Sequence, residues 1–235
     1  MKQLHRITIS EEQTASLGRD IAMAILAGSG KGDLLLLSGD LGTGKTSLAR
    51  ALIRQIAKDD LFEVPSPTYT ICHEYELEHN LAHYDLYRLS SIEEIDELGW
   101  QEQVETGSVI MEWPEHCLEN TPLGAALVSI TENNPDSRQI TLEGEGSFID
   151  RIERSLEISE FLSNTHLSTP KREHLSADAS ARSYEIITEG NTQFFLMNSP
   201  AMADGPIIHD GKPYSKIAHL AETVTPFVGI AKILR

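Results

Sequence analysis

The chain has 235 residues, 40% of them hydrophobic, and a formal net charge of −17. That length holds one large or two small domains. With 19 Lys and Arg against 36 Asp and Glu, the composition argues against a stand-alone nucleic-acid binder, which needs surplus cations for phosphate. Service to a nucleic-acid process would need a local basic patch or a basic partner. Two cysteines, Cys72 and Cys117, offer no disulfide framework. No apolar run is long enough to span a bilayer, and Met1 to Ile7 lacks the core of a secretory signal. The expectation is a cytoplasmic protein with no membrane partner.

In chain order, Ser10-Glu-Glu-Gln13 reads as a capping box. The helix it opens carries Leu17, Ile21, Ala24 and Ile25 on one face, and Gly28, Gly30 and Gly32 end it. Leu34 to Leu37 reads as a buried parallel strand. Gly39-Asp-Leu-Gly-Thr-Gly-Lys-Thr46 then fits G-x-x-x-x-G-K-[ST], and a helix is expected from Ser47 to Ile56. Strand, glycine loop and helix together mark a phosphate-binding loop. Gly42 and Gly44 let the backbone curl and aim its N–H groups at phosphate oxygens. The helix N-terminus adds its positive dipole end. Asp40, Leu41, Gly42, Thr43, Gly44, Lys45, Thr46 and Ser47 are therefore expected to bind the nucleotide. Lys45 would reach the β- and γ-phosphates and the Thr46 hydroxyl would bind Mg²⁺.

Pro65-Ser-Pro67 breaks the chain, Thr68 to Tyr75 reads as extended, and Leu81 to Asp85 as a short strand. Ser91-Ile-Glu-Glu94 is a second capping-box pattern, starting an acidic helix through Leu98. Ser108 to Glu112 reads as a buried strand. Ala126 to Ile130 and Arg138 to Leu142 read as two more, separated by the turn Glu132 to Asp136. The alternation predicts an α/β fold with an at least partly parallel sheet. Phe148 to Leu162 has helical spacing, and Ser163 to Pro170 is a polar stretch fit for a linker. The remainder carries strand-like runs at Tyr184 to Thr188 and Phe194 to Met197, and a helix-like one at Tyr214 to Thr223. The expected domains are residues 1–147, a helix and linker over 148–170, and a second unit over 171–235.

Hydrolysis needs a carboxylate near Mg²⁺ and a group that positions water. In α/β sheets ligands lie at the carboxyl ends of strands. Asp85 and Glu112 both end apolar runs there, and either can face the metal. Thr68, in a loop after Pro67, has the chemistry of a switch residue but also that of an ordinary turn threonine. His73, His79 and His83 lack zinc-site spacing and read as ordinary surface or core histidines. Trp113 reads as a packing residue that can also shield the site from water.

Four segments together resemble the TsaE (YjeE) family: the phosphate loop, Ser66-Pro-Thr-Tyr-Thr70, Tyr84-Asp-Leu-Tyr-Arg-Leu89 and Glu112-Trp-Pro114. The resemblance spans roughly residues 1 to 145. It implies a P-loop NTPase three-layer sandwich with a mixed, partly parallel sheet. It also implies a weak P-loop ATPase that binds ATP and Mg²⁺ at a TsaB–TsaD pair. That pair installs the N6-threonylcarbamoyl group on adenosine 37 of tRNA, and hydrolysis resets it. On this resemblance tRNA is met only through the partners, which suits the acidic charge. Carried over by motif position, Lys45 and Thr46 keep their phosphate and Mg²⁺ roles, and Thr68 is a switch-like element. Glu112 looks like a metal ligand. Asp85 is left with two roles, positioning water or holding a metal-bound water. The catalytic set is then Lys45, Thr68, Asp85 and Glu112, with Thr46 and Glu112 on the metal. Arg138 is a weaker candidate for approaching the nucleotide.

The tail resembles the start of an aminoglycoside-phosphotransferase-like kinase, nearest the bacterial amino-sugar kinases. The segments that carry this are Leu175 to Tyr184, Phe194 to Pro200 and Tyr214 to Ala221. It implies a partial kinase-like α+β lobe. No His-Gly-Asp-type catalytic loop follows before Arg235, so the lobe is expected to be inactive as it stands. A partial domain is also expected to leave apolar surface exposed. Two competing functions are a small-molecule kinase in a longer fused form and a nucleotide-dependent binding module that never hydrolyses ATP. Residues 1–145 show no substrate-binding region for the former. No base-reading motif separates ATP from GTP.

Overall fold

The computed structural model describes residues 1–199 except 29, 135, 166, 168, 169 and 176–181, and beyond them 207–209, 212, 213 and 225. The leucine run lies in strand β2 (Asp33–Ser38). Successive strand side chains point to opposite faces, so the run feeds two cores at once. Leu35 and Leu37 enter one apolar cluster, Leu34 and Leu36 the other. β2 pairs in parallel with β5 (Ser108–Glu112) on one side and β6 (Ala126–Asn134) on the other. β4 (Leu81–Asp85) extends the parallel array beyond β5. Antiparallel strands finish both edges. β3 (Cys72–Tyr75) lies beside β4, while β7 (Ser137–Gly144) and then β1 (Lys2–Thr8) lie beyond β6. The order β1-β7-β6-β2-β5-β4-β3 is the mixed, partly parallel sheet expected for this α/β fold.

Helices cover both faces. Leu17 and Ile21 of α1 (Glu11–Leu26), Leu48 and Ile53 of α2 (Lys45–Ala57), and Phe148 and Ile152 of α5 (Ser147–Ser163) share one core cluster. Ile95 of α3 (Ile92–Asp96) and Trp100 of α4 (Trp100–Thr106) belong to the other. The three layers follow from these two clusters. Half of the capping box on α1 is present: Ser10 Oγ accepts from Gln13 N at 3.2 Å, while Gln13 Oε1 reaches back one residue further and accepts from Ile9 N at 2.9 Å.

Helix α5 is more than a connector. Phe148, Ile149, Ile152 and Leu156 lie inside the first core. Arg151 donates to both oxygens of Asp33 at 2.5 and 2.6 Å and to Ala24 O at 2.9 Å. The chain divides into two compact units, Met1–Pro170 and Lys171–Arg235, so α5 falls in the first.

Other elements depart from expectation. Only Cys72–Tyr75 of the run from Thr68 is a strand. Residues 67–70 form a turn instead, closed by Ile71 N donating to Pro67 O at 2.6 Å, with Ile71 at φ 68°. The acidic helix stops at Asp96, because Gly99 takes the left-handed conformation and starts the separate helix α4. Ser91 has N-cap dihedrals but makes no side-chain cap bond; Glu94 accepts from Ser90 N and Oγ instead. The helix after the glycine loop begins at Lys45, inside the loop motif itself.

In the second unit β8 (Lys171–Leu175), β9 (Ser183–Glu189) and β10 (Thr192–Asn198) form an antiparallel sheet in the order β10-β9-β8. A buried pair, Arg172 with Glu185, bridges β8 and β9. Phe194 and Phe195 on β10 are exposed. β11 (Ile207–His209) and β12 (Lys212–Pro213) pair separately. The helix expected at Tyr214 to Thr223, and residues 176–181 of the kinase-like segment, lie outside the described residues.

Candidate nucleotide and metal site

The loop after β2 and the last residues of β4 and β5 meet at one end of the sheet. Gly39 has φ 142°, and a Cβ there would lie 2.2 Å from Ile130 O, so the loop can turn off β2 only at a glycine. Gly44 is the N-cap of α2 at φ 107°, with no side-chain cap and no acidic residue in the first turn. α1 is the contrast: Ser10 caps it, and Glu11 and Glu12 fill its first turn. Uncapped N–H groups and an uncompensated dipole make the start of α2 fit for an anion.

Lys45 is buried inside this loop. Its Nζ donates to Gly39 O at 2.6 Å and Asp40 O at 3.0 Å, and stands 3.5 Å from the centroid of the Trp113 ring. Burial holds its pKa below the ordinary 10.5, and the nearby Glu112 charge opposes that shift. Trp113, at φ 61°, belongs to an aromatic cluster with Tyr87 and His116, at centroid distances of 5.0 and 5.4 Å. Its ring therefore packs on the catalytic candidate itself, a role beyond general core filling.

Glu112 and Asp85 end neighbouring parallel strands and stand directly opposite in register. Both are buried, yet each has its own partners. Glu112 Oε2 accepts from the Thr46 hydroxyl at 2.8 Å, and Oε1 meets His83 Nε2 at 2.9 Å. Asp85 Oδ2 accepts from the Thr68 hydroxyl at 2.6 Å, and Oδ1 accepts from Tyr87 N at 3.0 Å. Ser66 Oγ lies 2.8 Å from Thr68 Oγ1. The turn that was expected to be extended is thus tied to the end of β4 by Thr68. Lys45, Thr46, Thr68, Asp85 and Glu112 converge on this end.

The rest of the loop is less uniform. Asp40 contributes its carbonyl, which accepts from Thr43 Oγ1 at 2.9 Å and from Lys45. Leu41 is 82% exposed, and the Ser47 hydroxyl donates to Glu11 at 3.2 Å. Arg138 is the second residue of β7 and donates to the carbonyls of Asn134 and Ser137 in its own hairpin. Sequence reasoning quoted Gly39 only as the first residue of the loop motif and read His83 as an ordinary surface or core histidine. The signal for His83 was its place two residues before Asp85, which puts both on one face of the strand.

The donor set fits Mg²⁺. A hydroxyl and a carboxylate are hard oxygen ligands, and Mg²⁺ takes one or two such ligands and completes its shell with water and phosphate. Among the described residues no group of three or more His, Cys, Asp or Glu is placed to hold a metal by itself. No described helix is long and apolar enough to cross a membrane.

Comparison with known proteins points one way. The model of the family described as threonylcarbamoyl adenosine biosynthesis protein TsaE matches residues 8–140. A Rickettsia felis protein named tRNA threonylcarbamoyladenosine biosynthesis protein TsaE is 34% identical over 150 residues, covering 62% of this chain and 85% of its own. The Bacillus subtilis protein of the same name is 31% identical over 166 residues, covering 70% of this chain and all of its own length, 100%. The crystal structure of Bacillus subtilis YdiB superposes with a TM-score of 0.52 at 27% identity, covering 69% of this chain and 97% of that one. With the phosphate loop and the two strand-end carboxylates within the matched residues, the chain belongs to the TsaE family.

Proposed function

We propose that this chain is an ATP-binding and ATP-hydrolysing subunit that supports N6-threonylcarbamoylation of adenosine 37 in tRNA. It acts in the cytoplasm with a TsaB–TsaD pair. The observation that carries the reading is the open N-terminus of α2, with Thr46 hydrogen-bonded to Glu112 at 2.8 Å, in a chain of this family. The loop N–H groups from residues 40 to 47 take the phosphates. Lys45 exchanges the carbonyls of Gly39 and Asp40, its present acceptors, for the β- and γ-phosphate oxygens, a stronger charge-assisted contact. Thr46 and Glu112 hold Mg²⁺. Bound there, the metal would supply neutralisation of the negative charge on the phosphates.

Asp85 keeps lone pairs beyond those used by Thr68 and Tyr87, and these accept from and orient the attacking water. Thr68 senses the γ-phosphate by exchanging Asp85 for it, which moves the turn that carries Tyr69. Tyr69 is 85% exposed, so a partner surface can read that movement. The net charge of −17 keeps the chain itself off tRNA and leaves tRNA to the partners.

Residues 171–235 form, within the same proposal, a partial aminoglycoside-phosphotransferase-like first lobe. The antiparallel sheet β10-β9-β8 is compatible with that reading, and no observation favours phosphate transfer to a sugar by this chain. The test is Lys45→Ala. Nucleotide binding and turnover should be lost, together with any response to TsaB–TsaD. Full hydrolysis and an intact partner response in that variant would overturn the proposal. Hydrolysis by the parent chain with no tRNA-modification dependence on it would overturn the tRNA role alone.

A further inference from the structure

His83 has no exposed surface and lies on β4, the strand beside Glu112. Strand alternation places His83 and Asp85 on one face, and the parallel register sets Asp85 opposite Glu112. The His83 ring therefore lies behind the Glu112 carboxylate, with Nε2 at 2.9 Å from Oε1. A carboxylate only accepts, so Nε2 carries the hydrogen and donates it. The other ring nitrogen, Nδ1, is buried and has no partner. Leaving a polar atom so placed costs free energy, and a packing role here needs no nitrogen at all. The bond to Glu112 is the ring's one polar contact among the described residues.

We infer that His83 is a positioning residue for the metal site. Its Nε2–H fixes Glu112 Oε1, so that Oε2 stays turned toward the Thr46 hydroxyl. The inference rests on the proposed metal role of Thr46 and Glu112. The chain of contacts runs from His83 to Glu112 at 2.9 Å and from Glu112 to Thr46 at 2.8 Å. Thr46 has one hydroxyl proton, and Oε2 takes it. The direction of that bond sets where the Thr46 lone pairs face. Without the His83 donor, the carboxylate can pivot about its last bond, and both oxygen ligands lose their fixed orientation. Groups that orient a metal ligand in this way typically carry about ten- to hundred-fold in metal affinity. Nε2 donates to Glu112 and so is not itself a metal ligand.

The test measures binding of the slowly hydrolysed analogue ATPγS by calorimetry, once in EDTA and once in excess Mg²⁺. The ratio of the two affinities is the gain due to metal. His83→Leu removes the donor, His83→Gln keeps an amide N–H near the Nε2 position, and His83→Asn carries the same amide too short to reach. The expected result is a metal-dependent gain reduced about ten-fold or more in the Leu and Asn variants. His83→Gln should keep most of the gain, and EDTA affinities should be unchanged throughout. If the Leu variant does not fold, the comparison of Gln with Asn carries the same decision. An unchanged gain in Leu or Asn overturns the inference. So does an equal loss in Gln, or a fall in EDTA and Mg²⁺ affinities together, the mark of a merely structural histidine. A parent chain with no metal-dependent gain fails differently: the Thr46–Glu112 metal role falls first, and His83 has nothing to position.

Discussion

Arg151→Met tests whether the nucleotide domain extends through α5. Arg151 reaches from α5 to β2, where it donates to both Asp33 oxygens at 2.5 and 2.6 Å and to Ala24 O at 2.9 Å. Asp33 has 6% of its side chain exposed and Arg151 22%, so this is a largely buried pair. Breaking such a pair by removing one partner leaves an uncompensated buried charge and costs about 3–5 kcal/mol. For a unit of this size 1 kcal/mol moves Tm by about 2–4 °C, so the expected fall is about 6–20 °C. Burial already pushes the Asp33 carboxyl above its ordinary 3.8, against the pull of Arg151 and His79. Without Arg151 the shift grows. A carboxyl with a raised folded pKa favours the fold at low pH and disfavours it as pH rises through that value. The deficit of the variant should therefore be largest near neutrality and shrink as pH falls through the raised pKa of Asp33. Thermal unfolding followed by circular dichroism from pH 4 to 8 reads both effects. A Tm within 2–3 °C of the parent at pH 7, about the shift of 1 kcal/mol, would refute the anchoring role of Arg151.

Removing α5 altogether, by ending the chain at residue 145, strips Phe148, Ile149, Ile152 and Leu156 from the first core. At about 1.5–3 kcal/mol for each large buried side chain, the loss rivals the whole stability of a domain; the truncated chain should be insoluble or unfolded, and a cooperative transition near the parent Tm would contradict this. Thr68→Val removes the hydroxyl that exchanges Asp85 Oδ2 for the γ-phosphate and should lower kcat about ten-fold or more, since a hydrogen bond to a charged group is worth about 1.5–3 kcal/mol, while affinity for ADP, which has no γ-phosphate, stays close to the parent in a fluorescence titration; equal losses in both would remove Thr68 from the catalytic step. His79 is buried against Ser108, and burial lowers its pKa below 6.5 despite the facing Asp33 charge. The fold thus favours neutral His79, so its stability is present above pH 6.5 and is lost as pH falls. His79→Asn should flatten the Tm profile between pH 7 and 5 (about the range in which histidine titrates), and an unaltered slope would count against it.

The parts of the site legible in the sequence are those whose meaning is local. Gly42, Gly44, Lys45 and Thr46 act through a single loop and the helix that follows it, so their spacing is enough. Asp85 and Glu112 stood out because each ends an apolar run, and the parallel register sets them side by side. His83 was read as an ordinary histidine: its place two residues before Asp85 gives the strand face, but the partner that gives it a role lies 29 positions away on the next strand. Trp113 was read as packing that can also shield the site, and its contact with Lys45, from a left-handed backbone position, shows only in the structure. Edge elements were lost for another reason. β1 pairs only on its β7 side and buries only Thr8, so it shows no apolar alternation. α4 has 7 residues and buries Trp100 alone. The turn at residues 67–70 defeated a local reading, since what ties it to the sheet is a threonine bonded to an aspartate 17 residues on.

The central claim is that a Mg-ATP site built from Lys45, Thr46, Thr68, Asp85 and Glu112 serves a protein partner. The most direct measurement is the rate of ATP hydrolysis by the full chain, alone and with a purified TsaB–TsaD pair. The account predicts slow turnover alone, a clear change on adding the pair, and neither in Lys45→Ala. A rate indifferent to the pair, or one that survives in Lys45→Ala, would contradict it.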